Sequence, residues 1–279
     1  MSQPILIIHG GAGRRFESSK RIAKIRKKIS NILKSAYKKL ARTNSLEAVT
    51  YAVKLLEDDP EFNAGTGSQL QADGHARLSA SIMDGVRQRF AGVINVEKIK
   101  NPILVARALL EKPDRVLSDE GAFEFAKRLG LKPHDLRTKT ALKRWKKRTE
   151  TKMDTVGACA LDRFGNLASA TSTGGKGFEM PGRVSDTGMP ISNFATLECA
   201  VSATGIGEDI MDEGLVIKIA TRISDGLNIR EAFDKTFREI KRGRKMGAIG
   251  ISSRGELIWQ TTTETLIYGW QKGKRVVLF

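Results

Sequence analysis

The sequence predicts an α/β (α+β) fold built as a layered sandwich, with helices packed around central sheets. Short apolar runs, typical of strands, occur near both ends of the chain, at 5–9 and 266–270. Between them lie segments whose apolar residues recur at helical spacing, such as 18–40. At 279 residues and 40% hydrophobic, the chain can bury the core that stacked layers require.

The first half of the chain alternates predicted strands with amphipathic helices. Ile5–His9 predicts a buried strand, and Gly10–Gly13 predicts a tight turn after it. The helix at 18–40 carries lysine and arginine on the face opposite its apolar residues. Asn44 caps a second helix, which runs to about Leu56. The sequence then predicts a loop at 57–68, strands at 78–82 and 90–96, and helices at 102–110 and 119–129.

The second half begins after a change of composition. The segment of about 132–154 is rich in lysine and arginine and has little apolar periodicity, which predicts an exposed, mobile linker. Thr155–Leu161 then predicts a strand that forms a hairpin with 167–173 through a turn at Asp162–Asn166. The remaining predicted elements are strands at 197–203, 247–251, 257–261 and 266–270, and helices at 208–223 and 229–240.

The net charge of +17 bears on the class of partner. Such a charge favours nucleic acid, because lysine and arginine neutralise phosphates without regard to sequence. The alternative is a solvated basic surface. We favour this alternative because aromatic residues make up only 6% of the chain and no known nucleic-acid-binding motif occurs. The charge nevertheless leaves a nucleic-acid partner open.

Hydropathy and cysteine content predict a cytoplasmic protein with no membrane span. No apolar run reaches the length of about 18 residues that a membrane span needs. Met1–Pro4 lacks the basic start and apolar centre of a signal peptide. The two cysteines, Cys159 and Cys199, lie far apart without metal-like spacing, which argues against a disulfide framework and a zinc site.

Seven motifs follow one another along most of the chain. They are His9–Gly13, Phe62–Gly67, Ala80–Gly85, Asp154–Gly157, Thr171–Gly175, Pro181–Asp186 and Thr204–Glu208. On these motifs the chain resembles the plant-type asparaginase family of N-terminal-nucleophile (Ntn) hydrolases, whose relatives include glycosylasparaginases and threonine aspartases. The resemblance implies one four-layer αββα domain over 1–279.

The resemblance also implies a precursor that cuts its own chain between Asp154 and Thr155. The products would be an α subunit, 1–154, and a β subunit, 155–279, assembled as a dimer of such heterodimers. A threonine hydroxyl is a poor nucleophile near neutral pH and needs a base. The α-amine released by the cut has a pKa of about 7.7–8.0 and can accept the proton of its own hydroxyl. Thr155 would then supply nucleophile and base, and the three histidines need play no catalytic part.

Five further residues receive roles from the resemblance. Thr173 would hydrogen-bond the nucleophile and tune its position. The Thr204 hydroxyl and the Gly205 backbone N–H would form the oxyanion hole. Arg183 would bind the α-carboxylate of the substrate and Asp186 its α-ammonium group. Such a clamp implies a substrate with a free α-amino-acid end.

Other residues are implied to support the site. Gly11 and Asn63 are expected to support the nucleophile, the latter from a loop that packs near it. The loop of the family also holds a structural sodium ion through carbonyl oxygens, and the matching residues are Leu56, Glu57, Asp59, Phe62, Ala64 and Thr66. No cofactor is implied for catalysis.

The implied reaction is hydrolysis of the side-chain amide of asparagine to aspartate and ammonia, together with cleavage of β-aspartyl dipeptides. One alternative is a glycosylasparaginase or threonine aspartase activity, which the Asp154–Thr155 pair favours. Another is a catalytically weak, basic relative that binds nucleic acid. The chain departs from the family pattern at 187–196 and 261–266, so the preference between asparagine and β-aspartyl peptides is left open.

Overall fold

The computed structural model describes residues 3–16, 18–148 and 155–279. The strands are β1 (Ile5–Gly13), β2 (Leu78–Asp84), β3 (Arg89–Val96), β4 (Val116–Ser118), β5 (Val156–Leu161), β6 (Leu167–Thr173), β7 (Asn193–Ala195), β8 (Cys199–Gly205), β9 (Met246–Ser252), β10 (Leu257–Thr261), β11 (Thr265–Lys272) and β12 (Arg275–Leu278). The helices are α1 (Ser19–Leu40), α2 (Ser45–Asp58), α3 (Pro102–Leu109), α4 (Asp119–Arg128), α5 (Lys139–Lys146), α6 (Gly207–Glu213), α7 (Leu215–Ser224) and α8 (Ile229–Glu239).

The described strands form two sheets. The larger sheet has the order β12-β11-β1-β5-β6-β2-β3-β4, and the smaller has the order β10-β9-β8-β7. Strand β4 runs parallel to β3, whereas the other described pairs are antiparallel. In the larger sheet β1, from before Thr155, lies between β11 and β5, which both come from after it. The two halves of the chain therefore build one sheet together.

The side chains of β1 show how the layers stack. Leu6 and Ile8 belong to the core between the larger sheet and helices α1–α5, whereas Ile5 and Ile7 belong to the core between the two sheets. Successive side chains of a strand point to opposite faces, so one strand serves both cores. Helices α6–α8 cover the outer face of the smaller sheet, where Phe233 is fully buried. This order of layers confirms the predicted αββα sandwich.

Local signals placed several helix starts correctly. The Ser18 side chain accepts a hydrogen bond from the Arg21 N–H at the start of α1, and the Asn44 side chain accepts one from the Glu47 N–H at the start of α2. These caps satisfy backbone donors that have no partner inside the helix. Among the described residues, no helix is long and apolar enough to cross a lipid bilayer.

Two predictions about glycines were wrong. The expected tight turn at Gly10–Gly13 continues strand β1, with an irregular register between His9 and Gly11. The pairing with β5 ends at His9, but Gly11–Gly13 still pair with β11, which keeps this glycine run extended. The helix expected at 208–223 is two helices, α6 and α7, because Gly214 adopts a left-handed conformation with a φ of 60°. That conformation ends a helix, and glycine enters it without a steric penalty.

The predicted linker and loop also contain regular structure. The segment of about 132–154, expected to be an exposed, mobile linker, includes helix α5. In this helix Trp145 Nε1 donates to the Gln71 carbonyl at 2.9 Å, and Ala141 is buried. The apolar signal of this helix was too sparse among basic residues to stand out. Residues 149–154, including Asp154, lie outside the described residues. The loop expected from residue 57 begins later, because α2 continues through Asp58, and it contains a short 3-10 turn at Gly65–Gly67.

Candidate active site

Most of the predicted catalytic and substrate-binding residues line one cleft. Its walls come from the start of β5, the end of β6 with the loop after it, the end of β8 and the start of α6. The lining residues are Thr155, Thr173, Gly175, Lys176, Arg183, Ser185, Asp186, Gly205 and Gly207.

The cleft has two chemically different sides, to which we give fixed names. The hydroxyl side consists of Thr155 and Thr173, which line the cleft, and of Thr204, which contacts Thr155 from behind the lining. The charged side consists of Lys176, Arg183, Asp186 and Glu208, the last of which contacts the lining residues from α6.

The hydroxyl side is centred on Thr155, which is 6% exposed. Val156 pairs with Ser172 across the β5–β6 hairpin, which places Thr155 beside Thr173. The Thr155 Oγ1 donates to the Thr173 Oγ1 at 3.3 Å. The Thr173 Oγ1 also accepts the Gly175 N–H at 3.2 Å. The hairpin predicted from the sequence thus brings the two threonines together.

The main-chain carbonyl of Thr155 is held from two directions. The Thr204 hydroxyl donates to it at 3.2 Å, and Nδ1 of His9 lies 3.1 Å from it. Thr204 therefore contacts the residue expected to be the nucleophile, although through its carbonyl oxygen. The expected role of Thr204 and Gly205 in an oxyanion hole remains a prediction.

His9 is a residue of this site that sequence reasoning missed. Nδ1 faces a carbonyl and must carry the proton, so Nε2 accepts from the Ser202 hydroxyl at 2.8 Å. Ser202 Oγ lies 3.1 Å from Thr171 Oγ1. Burial lowers the pKa of His9 to about 3, so the ring is neutral near pH 7. His9 thus positions the backbone of Thr155 without touching its hydroxyl. Its place at the head of the His9–Gly13 motif was the available signal.

The charged side contains a bidentate ion pair. Arg183 donates through Nε and Nη2 to the two carboxylate oxygens of Glu208, at 2.7 and 2.9 Å. Lys176 Nζ donates to the same carboxylate at 3.2 Å. The hydrogen bonds from Arg183 lower the pKa of Glu208 to about 2. A guanidinium has five N–H donors, so Arg183 can still present donors to a second carboxylate. Glu208 also went unrecognised in the sequence, although it closes the Thr204–Glu208 motif.

Asp186 is the most deeply buried charge on this side, at 3% exposed. Burial raises the pKa of its carboxyl to about 7, although the charge of Arg183 opposes the shift. Its Oδ2 atom is buried without a hydrogen-bond partner. A Cβ on Gly207 would lie 2.6 Å from Asp186 Oδ1, so only glycine lets α6 approach this closely. Such a carboxylate oxygen can accept a hydrogen bond from a small cationic group.

The predicted supporting residues differ in their contacts. Asn63 accepts the Gly174 N–H on its carbonyl at 2.9 Å and donates from its side chain to the Gly175 carbonyl. It therefore fixes the turn that follows Thr173. Gly11 pairs with Ile267 on β11, on the side of β1 away from β5, and its supporting role remains a prediction.

A buried carboxyl supports strand β6 from the helical layer. Glu57, expected only as a source of a carbonyl ligand, accepts from the Ser172 hydroxyl at 2.7 Å and from the Ile103 N–H at 3.2 Å. Burial raises the pKa of Glu57 to about 8. Its side chain thus ties α2 to the residue next to Thr173.

The two segments that depart from the expected family pattern contribute no residue to the described cleft lining. Within 187–196, Thr187 and Ser192 form buried hydrogen bonds with Ser81. Within 261–266, Thr261 and Thr263 bond each other at 2.7 Å. These segments support neighbouring strands and loops.

Comparisons with known proteins find relatives along nearly the whole chain. A sequence profile described as Asparaginase matches residues 2–278. An isoaspartyl peptidase/L-asparaginase of Nostoc sp. is 42% identical over 297 aligned residues, covering 98% of this chain and 93% of the relative. A plant-type L-asparaginase of Pyrobaculum calidifontis is 34% identical, covering 96% of both chains. An isoaspartyl peptidase/L-asparaginase of Macaca fascicularis is 37% identical, covering 93% of this chain and 91% of the relative.

Proposed function

Because the chain belongs to the asparaginase family, we propose that it hydrolyses L-asparagine to L-aspartate and ammonia and also cleaves β-aspartyl dipeptides. One observation carries the proposal. The buried hydroxyl pair of Thr155 and Thr173 lies in the same cleft as Arg183 and Asp186. That cleft combines a nucleophile with groups that recognise both charges of an α-amino acid.

The substrate would be held by its α-amino-acid end. Arg183 would bind the α-carboxylate with the donors that Glu208 does not use. Asp186 would accept from the α-ammonium through Oδ2, the atom that has no partner in the protein. With both charges held, the side-chain amide or β-peptide bond points towards Thr155. Recognition of a free amino-acid end favours this activity over that of a protease acting within a chain.

We propose that the chain matures by cutting itself between Asp154 and Thr155, giving subunits 1–154 and 155–279. The new α-amine of Thr155 would then act as the base for its own hydroxyl. This role needs a base close to Oγ1, and His9 does not supply it, since its ring contacts the Thr155 carbonyl instead. The histidine would hold the threonine backbone while the amine moves the proton.

The acylation step would begin with attack of Thr155 Oγ1 on the amide carbon and transfer of its proton to the α-amine. The resulting oxyanion would be stabilised by the Gly205 N–H and by the Thr204 hydroxyl, which would turn to it from the Thr155 carbonyl. The tetrahedral intermediate collapses, the C–N bond breaks, and the leaving nitrogen takes the proton from the α-ammonium. Water then hydrolyses the aspartyl ester by the same route and restores the threonine.

A structural sodium ion is proposed for the loop after α2. The Glu57 and Phe62 carbonyl oxygens lie 2.3 and 1.9 Å from where a Cβ would stand on Gly65 and Gly67. Glycine therefore lets the loop pass close to each of these carbonyls, and Thr66 Oγ1 is buried in the same loop without a partner. Carbonyl and hydroxyl oxygens suit a hard cation. The ligands would come from Leu56, Glu57, Asp59, Phe62, Ala64 and Thr66, and the ion would brace the loop that carries Asn63.

The proposal extends to assembly and compartment. We propose a dimer of α–β heterodimers (a heterotetramer), with the small substrate rather than nucleic acid as the partner. The free, buried Cys159 and Cys199 support a reducing compartment such as the cytoplasm. Light scattering would test the assembly, and a salt titration of DNA binding would test the nucleic-acid alternative.

The deciding experiment is intact mass spectrometry of the purified protein beside Thr155→Ala. We expect two fragments that divide at Thr155 in the wild type and one full-length chain in the variant. Ammonia release from asparagine and cleavage of a β-aspartyl dipeptide are then measured on the same samples. The wild type should turn over both substrates, and Thr155→Ala should turn over neither.

Thr50→Ala is a matched control. Thr50 is also buried, but its hydroxyl donates to the Leu46 carbonyl within α2, outside the cleft. This variant should divide and hydrolyse as the wild type does. A wild type that divides but turns over neither substrate would contradict the proposed activity. A wild type that stays whole yet hydrolyses both would contradict the proposed maturation alone.

A further inference from the structure

Lys176 occupies a distinctive place in the cleft. It follows Thr173 by three residues, across Gly174 and Gly175. The Gly174 N–H is bonded to the Asn63 carbonyl and the Gly175 N–H to the Thr173 hydroxyl, so the turn is tied to the hydroxyl side. Lys176 is the first side chain after this turn, and it lines the cleft.

Exposure separates Lys176 from the groups proposed to hold the amino-acid end. Its side chain is 46% exposed, whereas that of Arg183 is 14% exposed and Asp186 is 3% exposed as a residue. Lys176 therefore lies at the mouth of the cleft, with the clamp deeper inside. In amide hydrolysis the acyl part stays with the enzyme while the amine departs, and the departing group has to leave through the mouth.

The charges of the cleft show what Lys176 adds. Arg183 and Lys176 contribute two positive charges. Glu208 and the ionised Asp186 contribute two negative charges, so the charged side is neutral overall. Asparagine enters as a zwitterion and adds no net charge. A β-aspartyl dipeptide has one more carboxylate, on its leaving amino acid, and without Lys176 it would meet a surplus of negative charge.

We propose that Lys176 binds the α-carboxylate of the amino acid that leaves from a β-aspartyl dipeptide. This inference rests on the proposed function and deepens it, because it names the substrate group that is recognised at the mouth of the cleft. An ammonium group has three N–H donors and can serve a substrate carboxylate together with Glu208. Asparagine releases ammonia and offers no such carboxylate. The site therefore favours β-aspartyl dipeptides whose leaving residue has a free carboxyl terminus.

The test compares two substrates that differ in one group, β-aspartyl-leucine and β-aspartyl-leucinamide. The amide lacks only the carboxylate that Lys176 is proposed to bind. For the wild type we expect kcat/KM to favour the free acid by about fivefold, the size typical of an exposed ion pair. Lys176→Gln should bring this ratio close to one, and Lys176→Arg should retain it. The wild-type ratio should also shrink with added salt, which screens exposed charges.

Lys127→Gln provides the matched control. Lys127 pairs with Glu124 on α4, and the side-chain exposures of 43% and 47% resemble those of Lys176 and Glu208. For Lys127→Gln, the ratio of kcat/KM for the free acid to kcat/KM for the amide should equal that of the wild type.

Three outcomes separate the possible errors. A wild type without preference for the free acid overturns the inference. A Lys176→Gln variant that loses activity on asparagine and both dipeptides in equal proportion also overturns it, because Lys176 would then act by orienting Glu208. A wild type that turns over none of the three substrates contradicts the proposed function itself.

Discussion

The hydroxyl side and the charged side of the cleft are built differently. Thr155, just before β5, and Thr173, at the end of β6, meet as neutral groups. On the charged side, a loop and the start of a helix bring together the charges of Arg183, Asp186 and Glu208. The first arrangement is fixed by the β5–β6 ladder and by Thr204 on β8. The second is fixed by a bidentate ion pair and by close backbone approach at Gly207.

The two carboxyls of the charged side also differ in the direction of their pKa shifts. Burial raises the pKa of Asp186 to about 7, whereas hydrogen bonds from Arg183 lower that of Glu208 to about 2. Glu208 is therefore a permanent anion that orients the guanidinium. Asp186 gains its full charge only above neutrality or when a cation pairs with it. Under the proposed function, geometry would set reactivity on one side of the cleft and charge would set recognition on the other. Changes on the hydroxyl side should lower kcat, and changes on the charged side should raise KM.

Among variants that keep Thr155, the largest change in a rate constant is expected for Thr204→Val, which keeps the shape of the side chain but removes its hydroxyl. If the hydroxyl stabilises the oxyanion, kcat for asparagine should fall by about 10²–10³-fold, the typical cost of one such donor. KM should change little, because the donor acts mainly in the transition state. Steady-state kinetics on matured protein would measure both constants.

The control for this prediction is Thr50→Val, which removes a buried hydroxyl outside the cleft. It should retain kcat. A Thr204→Val variant that raises KM and keeps kcat would show that Thr204 acts in substrate binding rather than in the reaction. The hydroxyl side and the charged side would then no longer differ in the kinetic constant that they affect.

A smaller effect, on KM rather than on kcat, is expected for Arg183→Gln. We expect kcat/KM to fall by about 100-fold, mainly through KM, since a charge-assisted bidentate contact is lost and Glu208 and Asp186 are left without their guanidinium. Arg222→Gln is the matched control, because Arg222 pairs with Glu239 at similar exposure outside the described cleft lining. A loss confined to kcat would show that Arg183 acts on the reaction rather than on binding.

The sequence predicted those parts of the fold and site that local patterns determine. Alternation and the Asp162–Asn166 turn were enough to place the hairpin that joins Thr155 to Thr173, because hairpin register follows from turn length. The resemblance placed Arg183 and Asp186 in one motif, three residues apart, and both line the cleft. Both signals lie within about twenty residues of chain.

The parts that escaped prediction depend on contacts between distant segments. His9 reaches Thr155 only because β1 pairs with β5, and nothing near His9 in the sequence reveals that neighbour. Glu208 meets Arg183 only because α6 begins against the loop after β6. Helix α5 is stabilised by Trp145, whose partner Gln71 is far away in the sequence. These features depend on tertiary packing, so local sequence propensity does not indicate them.

The last and smallest effect concerns pH, where the two sides should separate in one experiment. On the hydroxyl side, the proposed α-amine base must be neutral, so activity falls as pH drops through its pKa of about 7.7–8.0. On the charged side, Asp186 must be ionised, so binding falls as pH drops through about 7. Below pH 7 log kcat/KM should therefore fall with a slope of about two, since both groups titrate in the free enzyme. The slope of log kcat should stay near one, because bound substrate keeps Asp186 ionised. In Asp186→Asn the slope of log kcat/KM should drop to about one, and a slope that stays at two would assign the second proton to a different group.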